Sequence, residues 1–287
     1  VRTPLTYYGG KQKLASAIIP LMPPHYAYLE PFCGGAAVLF AKPPAERETL
    51  NDLDGTIMRF WRALRDQPER LAEVVAATPY GRAEWDLARD LDVDDDVEAA
   101  RRLLVNVDQS YARTRKSWSP PTQLRDRKGR WQPGTWSAMP ERLLAGAHRL
   151  RGVCLESEDG LALIPRWDLP NTVIYVDPPY PMETRNRQRR GNWRSYHHEV
   201  TDDLWADLVE VLASVEHAAV LLSGYPCAEV DELGWHEIEM KALISSGSRA
   251  GVVLDVAPER VWLNPRCVAG ASQQSIDYAE QLDGQHP

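Results

Sequence analysis

The chain has 287 residues, 44% of them hydrophobic, enough for one large core or for a core domain carrying a smaller one, and no apolar run reaches the roughly 18 residues that span a bilayer. Its opening, VRTPLTYYGG, lacks the basic stretch and apolar core of an export signal, and four scattered cysteines (Cys33, Cys154, Cys227, Cys267) exclude a disulfide scaffold, so a reduced, cytoplasmic setting without membrane contact is expected. The net charge of −8 argues against a polyanionic partner until it is mapped: residues 113–130 hold seven basic residues and one acid, residues 185–194 five arginines and no acid, so the two runs carry +11 and leave −19 on the rest. Either run alone reads as a solvated face. With Trp118, Trp131 and Trp193 in or beside them, the pair points to a nucleic-acid surface, where arginines meet phosphates and planar rings meet bases.

Along the chain, Tyr7-Tyr8-Gly9-Gly10-Lys11 lacks the spacer, the following Ser/Thr and the preceding strand of a phosphate loop. The segment YAYLEPFCGGAAVLF (26–40) reads as strand, glycine turn and helix, a place where a backbone approaches a ligand or simply packs. ETLNDLDGTIMRFWRAL gives a short strand and then a helix with Ile57, Phe60, Trp61 and Leu64 at helical spacing. The acids of Asn51-Asp52-Leu53-Asp54, about twenty residues after the glycine turn begins, stand where a carboxylate accepts hydrogen bonds from two ribose hydroxyls. Residues 68–150 turn helical and charged, with EVVAAT, EWDLARDL and VEAARRLLVNV at helical periods before the basic stretch. Alternating acids from Asp90 to Asp96 fail as a calcium loop, because Asp95 stands at the glycine position and Arg101 at the twelfth; they suit a helix N-terminus. NTVIYVDPPY and HAAVLLSGY read as buried parallel strands around the amphipathic helix DDLWADLVEVLASV. The closing residues, 271–287, form a polar tail.

Asp177-Pro178-Pro179-Tyr180 follows the strand VIYV, at the carboxyl end where open α/β sheets place ligands. A strand-ending turn alone would explain it. Its chemistry also suits methylation of an aromatic amine. Asp177 and the Pro178 carbonyl could each accept one N–H, freeing the lone pair; Pro178 and Pro179 hold the turn rigid; Tyr180 offers a flat face to a base rotated out of a duplex. His197 and His198 have no partners at metal-ligand spacing, so no metal is expected, and Tyr196 beside them either lines a base pocket or packs. Cys33 has no base partner for nucleophilic work.

Together these segments resemble the DNA adenine methylase family, the D12 class of N6 adenine-specific methyltransferases, in the same order over residues 4–265. The resemblance implies a Rossmann-like S-adenosylmethionine-dependent methyltransferase sheet, of α/β class, with an inserted, mainly helical target-recognition domain. On that pattern residues 1–67 and 151–270 form the catalytic domain and 68–150 the DNA-binding insertion. T-Y-Y-G-G-K implies that Tyr7 and Lys11 contact S-adenosylmethionine; E-P-F-C-G-G places Glu30, Phe32 and Gly34 on the cofactor side; N-D-L-D makes Asp52 the ribose acid; E-S-E-D-G-L brings Asp159 to the cofactor adenine. D-P-P-Y is the catalytic motif. S-Y-H-H-E-V-T, L-L-S-G-Y and E-R-V-W-L-N also resemble family segments. The expected partner is double-stranded DNA, with Arg113, Arg115, Lys116, Arg125, Arg127, Arg187 and Arg190 as contact candidates. The family's glycine motif usually carries a second Gly where this chain has Ala36, which would tighten the pocket. The insertion resembles the family loosely, through L-L-V-N-V-D-Q-S-Y-A-R-T, so the target sequence stays open, as does a restriction partner. Cytosine N4, an RNA adenine, and a catalytically silent DNA-binding relative remain alternatives.

Overall fold

The computed structural model describes residues 1–6, 11–111, 115–120, 132–179, 202–226, 228–240 and 259–271. Seven strands, β1 (Ala27–Glu30), β2 (Arg47–Asn51), β3 (Val153–Glu156), β4 (Thr172–Val176), β5 (Ala219–Gly224), β6 (His236–Met240) and β7 (Glu259–Leu263), form one sheet in the order β3-β2-β1-β4-β5-β7-β6. The first five run parallel, and β7 lies antiparallel between β5 and β6. This is a Rossmann-like, open α/β sheet. β4 and β5 are buried along their whole length because helices cover both faces. Val173, Tyr175 and Leu221 enter one apolar cluster, whereas Ile174, Val176 and Leu222 enter the other.

Helices α1 (Ala15–Ile18), α2 (Ala37–Ala41) and α3 (Gly55–Asp66) cover the first face. Asp54 starts α3 by accepting a hydrogen bond from Thr56 N, and Ile57, Phe60, Trp61 and Leu64 are buried at the expected spacing. Residues 68–150 add α4 (Pro68–Ala76), α5 (Arg82–Leu87), α6 (Asp96–Asp108), α7 (Gln132–Ser137) and α8 (Met139–Leu150). Their Leu71, Leu103 and Leu143 share one continuous cluster with Phe40 and Trp61. The acidic run is helix-start chemistry: Asp95 accepts from Val97 N, and Arg70 and Arg59 pair with Asp95 and Asp96. Helices α9 (Gly160–Leu163), α10 (Asp202–Ala213) and α11 (Ala228–Asp231) bring Leu163, Trp205, Leu208, Leu212 and Val230 to the second face. A last helix, α12 (Pro265–Gly270), buries Cys267 in the first cluster.

The N-terminal segment crosses α8 at Gly146, where any Cβ would lie 2.9 Å from Pro4 Cγ. Arg142 donates to Thr3 O, and the Thr3 hydroxyl donates to Gly35 O at 2.6 Å. The strap therefore couples α8 to the glycine turn and delivers Lys11 to the sheet's carboxyl edge.

Candidate active site

Strand order reverses between β1 and β4: the chain proceeds from β1 to β2 and β3 on one side, and from β4 to β5 on the other. Ligands of open α/β sheets sit in the crevice at such a point. Both principal sequence motifs end strands there, Glu30 closing β1 and Asp177 following β4.

Beyond β1 the chain turns tightly, with Gly34 (φ 45°) and Ala36 (φ 47°) in the left-handed region before α2 begins. Asp52 braces this turn. Its Oδ2 accepts from Gly34 N at 2.8 Å and its Oδ1 from Asp54 N at 2.9 Å. Asn51, fully buried, stitches three strand ends: its Nδ2 donates to Pro31 O (2.8 Å) and Glu158 O (3.0 Å), and its Oδ1 accepts from Glu158 N (2.8 Å). Gly160 lies so close to the Phe32 ring and Pro31 O that a Cβ would sit 2.8 to 2.9 Å from them. Next to it, exposed Asp159 caps α9 through Leu161 N. Phe32, Gly34, Asp52 and Asp159 thus share one rim.

Glu30, the last residue of β1, is buried just below that rim. Its Oε1 accepts from Tyr28 OH and from Leu39 N of α2, both at 2.7 Å. Burial pushes its carboxyl up to about 7, with the charge of Asp177 adding and the two hydrogen bonds opposing.

Asp177 is partly exposed, and its Oδ1 takes two donors, Lys11 Nζ at 2.6 Å and Ser223 Oγ at 3.0 Å. Because Ser223 gives its proton to Asp177, its oxygen accepts from Tyr175 OH, 3.0 Å away. Burial holds the Tyr175 phenol well above its usual range, so it remains a donor. Lys11 also meets Glu259 Oε1 at 2.8 Å. Burial alone would favour a neutral amine, but the Asp177 and Glu259 carboxylates outweigh it and raise the pKa, keeping the ammonium charged. Pro178 is buried, and the Pro179 carbonyl accepts from the Trp205 indole at 3.2 Å, which fixes the turn from α10.

Tyr7 and Tyr180 lie outside the described residues, as do Tyr196, His197 and His198. So do Arg113, Arg125, Arg127, Arg187 and Arg190. Arg115 and Lys116 are placed between two short paired stretches, where Tyr111 N donates to Ser117 O and Ser119 N to Gln109 O. Trp118 ends that segment under the Arg82 guanidinium, 4.6 Å from its ring centroid. Burial raises the Cys33 thiol well above its ordinary value, which keeps it un-ionised. Among the described residues no group of three His, Cys, Asp or Glu is placed to hold a metal ion.

Sequence reasoning assigned no role to Asn51, Ser223, Glu259 or Trp205. A lone hydroxyl in the otherwise apolar run AAVLLSG was the available signal for Ser223. Glu259 opens the segment E-R-V-W-L-N, but its partner Lys11 is remote in sequence, so the segment alone did not assign it a task.

Residues 7–90 match the model of the D12 class N6 adenine-specific DNA methyltransferases. Over these residues, under a third of the chain, the sequence is similar to that family. A type II methyltransferase of Lactococcus lactis subsp. cremoris, M1.LlaDCHI, is 37% identical over 68 residues, covering 23% of this chain and 24% of its own. The match therefore spans about a quarter of that relative. Among solved structures, the rRNA methyltransferase aviRa from Streptomyces viridochromogenes aligns over 93% of this chain and 88% of its own, with 14% identity and a TM-score of 0.35. The D12 match includes the glycine turn, Asn51 and Asp52; Asp177 and its partners Ser223 and Glu259 lie beyond it.

Proposed function

We propose that the protein transfers a methyl group from S-adenosylmethionine to N6 of adenine in double-stranded DNA. The observation that carries this reading is the Asp177 carboxylate at the switch point, with Oδ1 anchored by Lys11 and Ser223, in a chain whose residues 7–90 match the D12 class. The donor set suits the cofactor. Asp52 is a carboxylate at the tip of β2, suited to a ribose diol; Phe32 offers a flat face; Asp159 is an exposed acceptor for an adenine amino group; and the site near Asp177 is acidic, as a sulfonium requires. Tyr7, Lys11 and Gly34 complete the cofactor side of the proposal, with Glu30 supporting from below.

When bound, S-adenosylmethionine supplies an electrophilic methyl group. Asp177 accepts one N–H of the target amine and the Pro178 carbonyl the other, which draws the nitrogen lone pair out of conjugation. The Pro179 carbonyl already accepts from Trp205, so the turn stays in place. Tyr180 stacks on a base swung out of the duplex. The amine attacks in line, without a covalent enzyme intermediate. Residues 1–67 and 151–270 serve as the catalytic part and 68–150 as the target-recognition part. Arg113, Arg115, Lys116, Arg125, Arg127, Arg187 and Arg190 meet the DNA.

The test is incubation with labelled S-adenosylmethionine and, separately, DNA and RNA, followed by digestion to nucleosides. Label is expected in N6-methyldeoxyadenosine. Label only in N4-methylcytosine, or only in RNA, would replace the acceptor; no transfer with retained DNA binding would indicate a silent relative.

A further inference from the structure

We propose that Glu259, acting through Lys11, sets the charge of the pocket so that it prefers the cationic sulfonium of S-adenosylmethionine to the neutral thioether left after transfer. This rests on the cofactor proposed above and adds a residue with a different task from that of Asp177. The Lys11 ammonium, with only 3% of its side chain exposed, lies 2.6 Å from Asp177 Oδ1 and 2.8 Å from Glu259 Oε1. The two carboxylate side chains are themselves 21% and 12% exposed. A pair of Lys11 with Asp177 would be neutral. Sharing one ammonium between two carboxylates gives the three side chains a charge of −1.

The position of Glu259 fits this task. It opens β7, whose next residue, Arg260, pairs with Gly224 of β5, while Asp177 leaves β4 on the other side of β5. The two carboxylates therefore reach Lys11 from different strands, and the ammonium separates them. Glu259 can alter the local field without being the acceptor of the amine. During transfer the C–S bond breaks, its electron pair stays on sulfur, a C–N bond forms, and the methylated amine then loses a proton to solvent. The sulfur begins cationic and ends neutral. A negative pocket binds the first state more tightly than the second and thereby favours release of the product.

Replacing Glu259 with Gln makes the surroundings one charge more positive whatever else contacts that side chain. Across a partly buried site, removing one charge changes the affinity for a charge of opposite sign by on the order of tenfold. Calorimetric titration of the full chain with S-adenosylmethionine and with S-adenosylhomocysteine, which differ by the methyl group and its charge, reads this directly. Glu259→Gln should weaken the first ligand about tenfold and leave the second nearly unchanged. Ser223→Ala, which removes a hydrogen bond to Asp177 but no charge, should leave the ratio of the two affinities as in wild type.

An unchanged ratio in Glu259→Gln overturns the proposal. If Glu259→Gln binds neither ligand, Glu259→Asp decides: a wild-type ratio supports a role for the charge, and loss of both ligands shows that shape alone is at stake and overturns it. Failure of the wild-type protein to bind either ligand would overturn the cofactor assignment, and this inference with it.

Discussion

Glu30→Gln should leave stability unchanged at and below about pH 4.5 and make the protein increasingly more stable as pH rises to about 7 and above. Glu30 is 2% exposed, and burial lifts its carboxyl from the ordinary 4.5 to about 7. Below 4.5 the side chain is protonated in both the folded and the unfolded chain and contributes nothing. Between 4.5 and about 7 the unfolded chain releases the proton while the folded one retains it, so stability falls as pH rises. Above about 7 the folded protein carries a buried carboxylate, and the full penalty is about 3 kcal/mol. Glutamine keeps an Oε1 that can accept from Tyr28 OH and Leu39 N and never ionises. Urea unfolding of both proteins from pH 4.5 to 8.5 measures the difference, in which contributions common to both cancel. The stabilisation should be near zero at pH 4.5, grow through pH 6 and level off at about 3 kcal/mol above pH 7.5. A difference independent of pH, or a wild-type protein that is the more stable at pH 8, would refute the reasoning.

Asp177→Ala should lower methyl transfer by on the order of 10² to 10³. Binding of the neutral S-adenosylhomocysteine should stay largely intact; near-wild-type turnover would remove Asp177 from its assigned place. Gly160→Ala drives a methyl group against the Phe32 ring and the Pro31 carbonyl, and the backbone oxygen cannot swing aside. S-adenosylhomocysteine should bind about tenfold more weakly to it, and unaltered affinity would show that the rim does not depend on this approach. Trp205→Phe removes the donor to Pro179 O while keeping most of the buried ring. It should cost about 1 kcal/mol of stability and lower kcat more than it raises the Kd of the cofactor; an effect on stability alone would confine Trp205 to packing.

The central sheet was legible because burial on both faces leaves a trace: TVIYV and AVLLSG are largely apolar runs bounded by turn residues, the pattern of a covered parallel strand. The outer strands left less. β3 is four residues long at an edge, and β6 reads HEIEM, with polar positions that its exposed side tolerates, so neither stands out from a loop. Helix α8 is amphipathic but follows directly on a basic, proline-containing stretch that obscures where it starts. Its position matters because Gly146 takes the N-terminal strap, a tertiary contact with no local signal.

In the site, residues that project from a motif were legible and residues that hold the motif were not. Asn51, Ser223 and Glu259 stand in recognisable runs as Asp52 and Asp177 do, but what they do is set by pairing with groups remote in sequence, Glu158, Asp177 and Lys11, which no run displays. Ala36 shows why a motif can depart from its pattern without losing its shape. It adopts φ 47° and ψ 39°, a left-handed conformation that costs an alanine about 1 to 2 kcal/mol relative to its preferred region. A glycine would relieve that strain, but it would leave the unfolded chain freer by about 0.4 to 1 kcal/mol and remove a methyl group worth about 0.8 kcal/mol of burial. Ala36 is 1% exposed and packs in the first cluster. The opposing contributions agree to within about 1 kcal/mol, so alanine holds the turn nearly as well as glycine. Gly34 N and Asp52 keep their hydrogen bond, and the glycine pattern is dispensable at the one position where the side chain points into the core.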